Sequence, residues 1–357
     1  VNLPAGTAGD VVAIKDYAGT FDTGTLTLVQ NGSDKIGGSA VNATLTTEGI
    51  AVTLVFIDST QGWLVTDSGL QSEAPGPQYI VATGGTITCS GDCKIHTFTG
   101  PGTFAVSCAG NAEGSNKVSY MVVAGGGGSG QYYGGAGGGG GFRESKSPFT
   151  PYTASPLDET NGLAVPATAY PITVGAGGAT VATPTTYAPG SNGGNSVFST
   201  ITSAGGGFGG GSQPPGDRPG GAGGSGGGGG GTSGGDGGIG NTPPVSPPQG
   251  QNGYTSTGAL AGAGGGATVA GGTNPDGKEG GTGATTSISG SSLGYSGGGG
   301  GGPQNVTSIS PCGSGGANSP GVPSPLKQGQ TNRGGGGGAD FAAGGSGIVV
   351  IRYKFQN

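Results

Sequence analysis

Runs of bare glycine constrain this chain more than anything else in it. They recur at 125–128, 137–141, 205–211 (broken once by Phe208), 226–231, 297–302 and 334–338. The usual elements fail here one by one. A glycine helix loses about 1 kcal/mol per residue against alanine, and a glycine strand has no side chain to pack. Collagen needs glycine at every third position without slippage, a frame these runs do not keep. The remaining ordered choice is polyproline-II geometry, which has no internal hydrogen bonds and rises about 3.1 Å per residue. Its amides must bond to neighbouring segments. Without Cβ atoms such rods can lie side by side, exchanging N–H···O=C bonds and weak Cα–H···O contacts with several others. The order has to be collective: fixing one residue costs about 1–2 kcal/mol, whereas one hydrogen bond nets about 0.5–1.5 kcal/mol. A lone rod melts, and several rods between β-layers survive. The competing reading is flexible Gly/Ser-rich loops on a small sandwich.

Glycine and proline supply 93 and 24 of 357 residues, a composition that usually marks disorder. Disorder of the common kind also rests on charge repulsion, and only 8% of this chain is charged. Residues 1–70 read as a small β-domain, with β-branched or alternating runs at 10–15, 25–29, 52–57 and 63–65 separated by turn signals such as Asn31-Gly32. So short a domain has a thin core, so burial against identical copies is expected. Residues 71–79, with Pro75 and Pro77, read as a linker. Strands follow at 85–89, 93–98, 102–106 and 117–123 within a segment 80–123, which leads into a glycine-rich region, 124–346. Apolar strands at 170–174 and 196–201 interrupt that region, and residues 347–355 close it with the most apolar strand of the chain, whose natural partner is 117–123. The expected fold class is all-β, with essentially no α-helix: a small β-domain, then a β-sandwich-like domain framing packed polyglycine-II helices.

Several chemistries are excluded or left without candidates. The formal net charge is −6 and the 12 basic residues are scattered, so no cationic stripe could follow a phosphate backbone. No apolar run is long enough to cross a bilayer, and the first six residues lack the basic and apolar parts of a signal peptide. The chain opens without methionine inside an apparent β-domain, as expected of a processed protein or the later part of a longer one. Residues 272–278 match the start of a phosphate-binding loop, but Glu279 stands where Ser or Thr must hold magnesium. The toxin calcium repeat is missed at 234–236 and 338–340. His96 is the single histidine, in an alternating strand that suits a structural role, and the carboxylates are too scattered to nominate a catalytic pair. The expectation is no enzyme, no cofactor and no bound metal. Cys89 and Cys93 flank the proposed hairpin loop Ser90-Gly91-Asp92, where a disulfide would fit; with His96 and Cys108 they also spell a non-standard zinc set. Cys108 and Cys312 find no partner in that scheme.

Rods that pack must reverse in loops, and the loops carry the bulky and polar residues. Candidate contact residues are Tyr132 and Tyr133, Asp217 and Arg218 in 213–218, Tyr254 in 241–257, and Tyr295 in 293–295. Tyrosine gives broad contact at low entropic cost; the other role open to each is to cap the end of a rod.

Four stretches carry a family resemblance. They are Ala82-Thr83-Gly84-Gly85-Thr86-Ile87, Lys94-Ile95-His96-Thr97-Phe98-Thr99-Gly100-Pro101-Gly102-Thr103-Phe104, Tyr120-Met121-Val122-Val123-Ala124-Gly125-Gly126-Gly127-Gly128 and the closing Gly345-Ser346-Gly347-Ile348-Val349-Val350-Ile351-Arg352-Tyr353. With 170–178 and 195–207 they resemble the glycine-rich domain of phage tail-fibre proteins. Residues 3–10 through Trp63 look like the β-domain that often precedes it in marine and cyanobacterial phage fibres. The resemblance implies a virion-borne, frequently trimeric adhesin that reads a bacterial surface glycan or outer-membrane protein through loops. It carries over no binding residue, and a structural subunit of an extracellular filament is the alternative.

Overall fold

The computed structural model describes residues 1–70, 77–180, 188–213, 216–231, 234–257, 260–273, 277–302, 314–317 and 324–356. The chain divides into two compact units, Val1–Gly76 and Pro77–Asn357. The first holds strands β1 (Val11–Lys15), β2 (Leu26–Leu28), β3 (Ala43–Leu45), β4 (Ile50–Phe56) and β5 (Trp63–Leu70). β1, β4 and β5 form one antiparallel sheet, and β2 and β3 form a ribbon. Its core is as thin as its length requires: Leu3, Leu28, Val52, Leu54, Phe56 and Trp63 are buried together, with the Trp63 ring edge-on to Phe56.

The second unit begins with β6 (Ile80–Thr83), β7 (Thr86–Ser90), β8 (Cys93–Phe98), β9 (Gly102–Ala109) and β10 (Lys117–Val123). Next come β11 (Phe142–Ser145), β12 (Leu163–Ala164), β13 (Ala169–Thr173), β14 (Ser196–Phe198) and β15 (Ile201–Ser203). The two-residue strands β16 (Ser212–Gln213) and β17 (Gly216–Asp217), the hairpin β18 (Ala284–Thr286) and β19 (Leu293–Tyr295), one helical turn at Ser324–Lys327 and β20 (Ile348–Lys354) complete it. The architecture is all-β. Two sheets, ordered β11-β10-β20-β8-β7 and β15-β14-β13-β9-β6, form a sandwich. The closing strand β20 lies antiparallel to β10, Tyr120 opposite Ile351, as its apolar sequence requires.

Side chains alternate along a strand, which explains why β10 is apolar at each of Tyr120–Val123 and β20 at each of Ile348–Ile351. Val118, Tyr120, Val122, Val349, Ile351 and Tyr353 face the second sheet, where Phe104, Ile172 and Phe198 meet them. Met121, Val123, Ile348 and Val350 face the other way, onto Phe142, Ile288 and Tyr295. A sheet buried on both faces has no polar face to show.

Residues 196–201, expected as one strand, are instead a tight hairpin, with Ser199 at φ 55 between β14 and β15. The disulfide expectation is also corrected. Across the β7–β8 hairpin Cys93 pairs with Ser90 and Cys89 with Lys94, so the two cysteines occupy successive cross-strand pairs and point to opposite faces. Cys89 is exposed, Cys93 is buried, and both are free thiols, as is Cys108. Cys312 lies outside the described residues. In the native protein a thiol reagent is expected to modify Cys89 and to spare Cys93 until unfolding. Mass spectrometry after native and denaturing alkylation checks this, and a Cys89–Cys93 crosslinked peptide would refute it.

His96 is wholly buried: its Nδ1–H donates to the Gly84 carbonyl at 2.7 Å, so Nε2 accepts from the Tyr353 hydroxyl at 3.1 Å. Burial holds the imidazole below its ordinary value of 6.5 and pushes the Tyr353 hydroxyl up to about 12, which keeps that proton in place. The unfolded chain takes up a proton near pH 6.5 and the folded one does not. The stability this confers is therefore present above 6.5 and lost as pH falls toward the lower folded value. Glu144, buried and raised by desolvation, has the opposite sign, so the direct check is NMR titration of the imidazole nitrogens. His96 is expected to remain neutral below pH 6.5.

Candidate functional site

The glycine runs emerge from the strands and become rods. Residue 124 follows β10 directly, and the hydrogen bonds of 124–131 repeat every third residue. Amides of Ala124, Gly127 and Gly130 donate to the carbonyls of Gly141, Gly138 and Gly135. Those of Gly125, Gly128 and Gln131 donate to Gly194, Ser191 and Ala188, and those of Gly126 and Ser129 to Gly345 and Ala342, all at 2.8–3.2 Å. Its carbonyls in turn accept from Gly178, Gly206, Gly209 and Gly337. Three residues per turn is the polyproline-II signature, here with each third of the turn addressed to a different neighbour. Rods 135–141 and 225–230 are surrounded in the same manner.

The spacing leaves no room for side chains. A Cβ on Gly125, Gly126, Gly127 or Gly128 would lie 2.0–2.3 Å from the carbonyl oxygens of Ala176, Gly335, Gly207 and Ala179. At the rim, where no further rod follows, side chains take the place of neighbours. Asn192, Asn195 and Asn252 accept from the amides of Phe208, Gly205 and Gly240, and in the interior the buried Gln249 side chain accepts from Ala204.

The rods reverse at two ends, one against the sandwich and one remote from it. At the remote end, residues 131–134 link rods 124–130 and 135–141. Around this reversal the chain gathers segments distant in sequence. The Tyr133 amide donates to Asp340 Oδ1 at 3.0 Å, the Tyr132 ring stands edge-on to Phe341 at 5.3 Å, and the Ser212 hydroxyl donates to the Tyr132 carbonyl. The Gly231 amide reaches the Tyr133 carbonyl, and the Gly230 amide reaches Arg218. Tyr133 is 43% exposed, and Arg218 is exposed at the same end, next to β17 with the Asp217 backbone.

Tyr132, Tyr133, Asp340 and Phe341 all have φ between 43 and 63. This left-handed region is uncommon for side-chain-bearing residues and an outlier for bulky ones. Two adjacent reversals thus present four non-glycine residues in conformations that glycine would adopt freely. The Asp340-Phe341 reversal was missed in the sequence, although it sits between glycine runs as Tyr132-Tyr133 does.

Two other expected contact residues lie elsewhere. Tyr295 is a correction: it is 1% exposed, packed under the sandwich against Met121 and Phe142, with the Arg333 guanidinium over its ring. Tyr254 is half-buried on the flank of the bundle. Its backbone is bonded into the rods through Ala263 and Gly229, and its ring covers the turn glycines Gly272 and Gly277. The segment 241–257 divides likewise. Its first part turns back at the sandwich end, where Gln249 accepts the Phe142 amide, and only its last residues reach the remote end.

Among the described residues no group of three His, Cys, Asp or Glu side chains could hold a metal ion, and no helix is long and apolar enough to cross a membrane. Comparison with curated protein sequences gave no match. A family model described as a glycine-rich domain matches residues 97–354, from the last two residues of β8 to the end of β20. That span contains the rods, their reversals and most of both sheets, and on it the chain belongs to the glycine-rich domain family.

Proposed function

We propose that the protein is a receptor-binding adhesin of an extracellular fibre, of the kind that phage tail fibres use to attach to a host. The tip reversals recognise a bacterial surface glycan or outer-membrane protein, and the rod bundle holds them rigid. One observation carries this reading: two successive tyrosines, the second 43% exposed, occupy left-handed backbone at the remote reversal of a chain with 93 glycines, propped by the buried Asp340. Left-handed backbone costs a side-chain-bearing residue about 1–2 kcal/mol. Such cost persists where the side chain has work to do, and exposed tyrosines are typical binding anchors.

The rim favours this reading over a filament that grows sideways. Open rod edges would recruit further copies as unpaired strand edges do, whereas carboxamides of Asn192, Asn195 and Asn252 already occupy them. Assembly into a trimer within a fibre is compatible with the same bundle, and catalysis has no part in the proposal. The test is binding of the fluorescently labelled chain to a panel of bacterial strains. Binding to a subset of strains that is lost in Tyr133→Ala is expected; failure to bind any strain, with indefinite polymers in electron micrographs, would favour the filament.

A further inference from the structure

The excursion between β11 and β12 encloses an open cleft of about 640 Å³ on the sandwich, within the range of roughly 300–1,000 Å³ usual for small-molecule sites. Its wall includes Phe149, Pro148 and Pro151, and its polar rim includes Asp158, Thr160 and Asn161. These polar groups are held in place before any ligand arrives. Asp158 Oδ1 accepts the amides of Lys146 at 2.7 Å and Thr160 at 2.9 Å, and Asn161 Oδ1 accepts from Lys117 Nζ at 2.8 Å. The Ser145 hydroxyl ties the loop from below, donating to the Thr160 carbonyl and accepting the Gly162 amide.

Thr160, Asn161 and Gly162 run consecutively at φ 57, 79 and 64. A β-branched residue in that region is an outlier, and strained backbone of this kind clusters where a side chain must be aimed. What the cleft offers defines its ligand. Among the described residues, Asp158 Oδ2 remains as an acceptor and Asn161 Nδ2 as a donor, with the exposed Thr160 hydroxyl beside them. The nearby ammonium groups are already engaged, Lys117 with Asn161 and Lys146 over the Tyr152 ring at 5.4 Å. A single carboxylate is too little for calcium, and among the described residues that line the cleft no ammonium group is left for an anion. A carboxylate and a carboxamide next to an aromatic and proline wall suit a ligand with adjacent hydroxyls on one side and C–H bonds on the other.

We infer that the cleft bounded by Phe149, Asp158 and Asn161 is a binding site for a neutral saccharide, separate from the tip. Saturation-transfer NMR with glucose, galactose, mannose and N-acetylglucosamine at millimolar concentration tests this. At least one of the four is expected to receive saturation from the protein, with affinity about ten-fold weaker in Phe149→Ala and in Asn161→Gly, as for the loss of one good contact. Glycine accepts the φ of position 161, so Asn161→Gly removes the carboxamide without unfolding the loop. No transfer to any of the four sugars, or transfer of equal strength in both variants, would overturn the assignment. Because the readout is a free sugar, its failure leaves the tip untouched, and failure of the tip on cells leaves the cleft untouched.

Discussion

Replacing Gly127 by alanine is expected to destabilise the second unit by about 4 kcal/mol, while Gly100→Ala changes it little. A methyl at 127 would stand 2.0 Å from the Gly207 carbonyl oxygen and 2.6 Å from its carbon. Neither partner can retreat. Gly127 donates to Gly138 at 2.8 Å and accepts from Gly337 at 3.0 Å, so moving its rod breaks bonds to two others. Overpacking alone costs about 1–3 kcal/mol, and each buried amide or carbonyl left unpaired adds about 1–3 kcal/mol. Against a total stability of about 5–15 kcal/mol, this is a large fraction. At Gly100 an added methyl meets nothing within 4 Å. Urea midpoints and amide exchange of the glycine runs measure both. A Gly127→Ala protein with the wild-type midpoint and fast-exchanging glycines would mean that the rods do not bear on the fold.

The rods were legible in the sequence because glycine runs exclude every other ordered form, and the β10–β20 pair because the most apolar strand of the chain closes the region that β10 opens. Side-chain destinations were less so. Tyr295 and Tyr133 both follow turn-forming sequence next to glycine, yet one packs under the sandwich and the other emerges at the tip. Which end of the bundle a reversal occupies depends on how many rods precede it, a matter of topology that local pattern does not carry. The β18–β19 hairpin that buries Tyr295 is short and polar in two of its three β18 positions, leaving little periodicity to find. Cys89 and Cys93 misled for a related reason. Their spacing matches a hairpin loop, but a two-residue turn centred on Gly91-Asp92 pairs Ser90 with Cys93 and displaces Cys89 by one. A one-residue offset in register moves a side chain to the other face.

The double substitution Tyr132→Gly/Tyr133→Gly is expected to separate stability from binding. Both positions lie at positive φ, 43 and 58, where glycine relieves about 1–2 kcal/mol per residue. Two effects oppose that gain. Glycine enlarges the unfolded ensemble by about 0.5–1 kcal/mol per position, and the edge contact of Tyr132 with Phe341 is worth about 0.5–1.5 kcal/mol. The backbone bonds survive, since the Tyr133 amide to Asp340 and its carbonyl to Gly231 belong to the main chain. The net change in stability is therefore within about 1 kcal/mol of zero by these terms. Binding responds differently. Removing two aromatic anchors at about 2 kcal/mol each weakens attachment by roughly a thousand-fold. Denaturation midpoints beside strain-binding curves give the two readouts on one protein. A variant that loses stability and binding together would make the tyrosines scaffold, whereas one that keeps both would move recognition away from this reversal. Only a folded, non-binding protein fits a tip whose left-handed tyrosines serve the partner at the expense of the backbone.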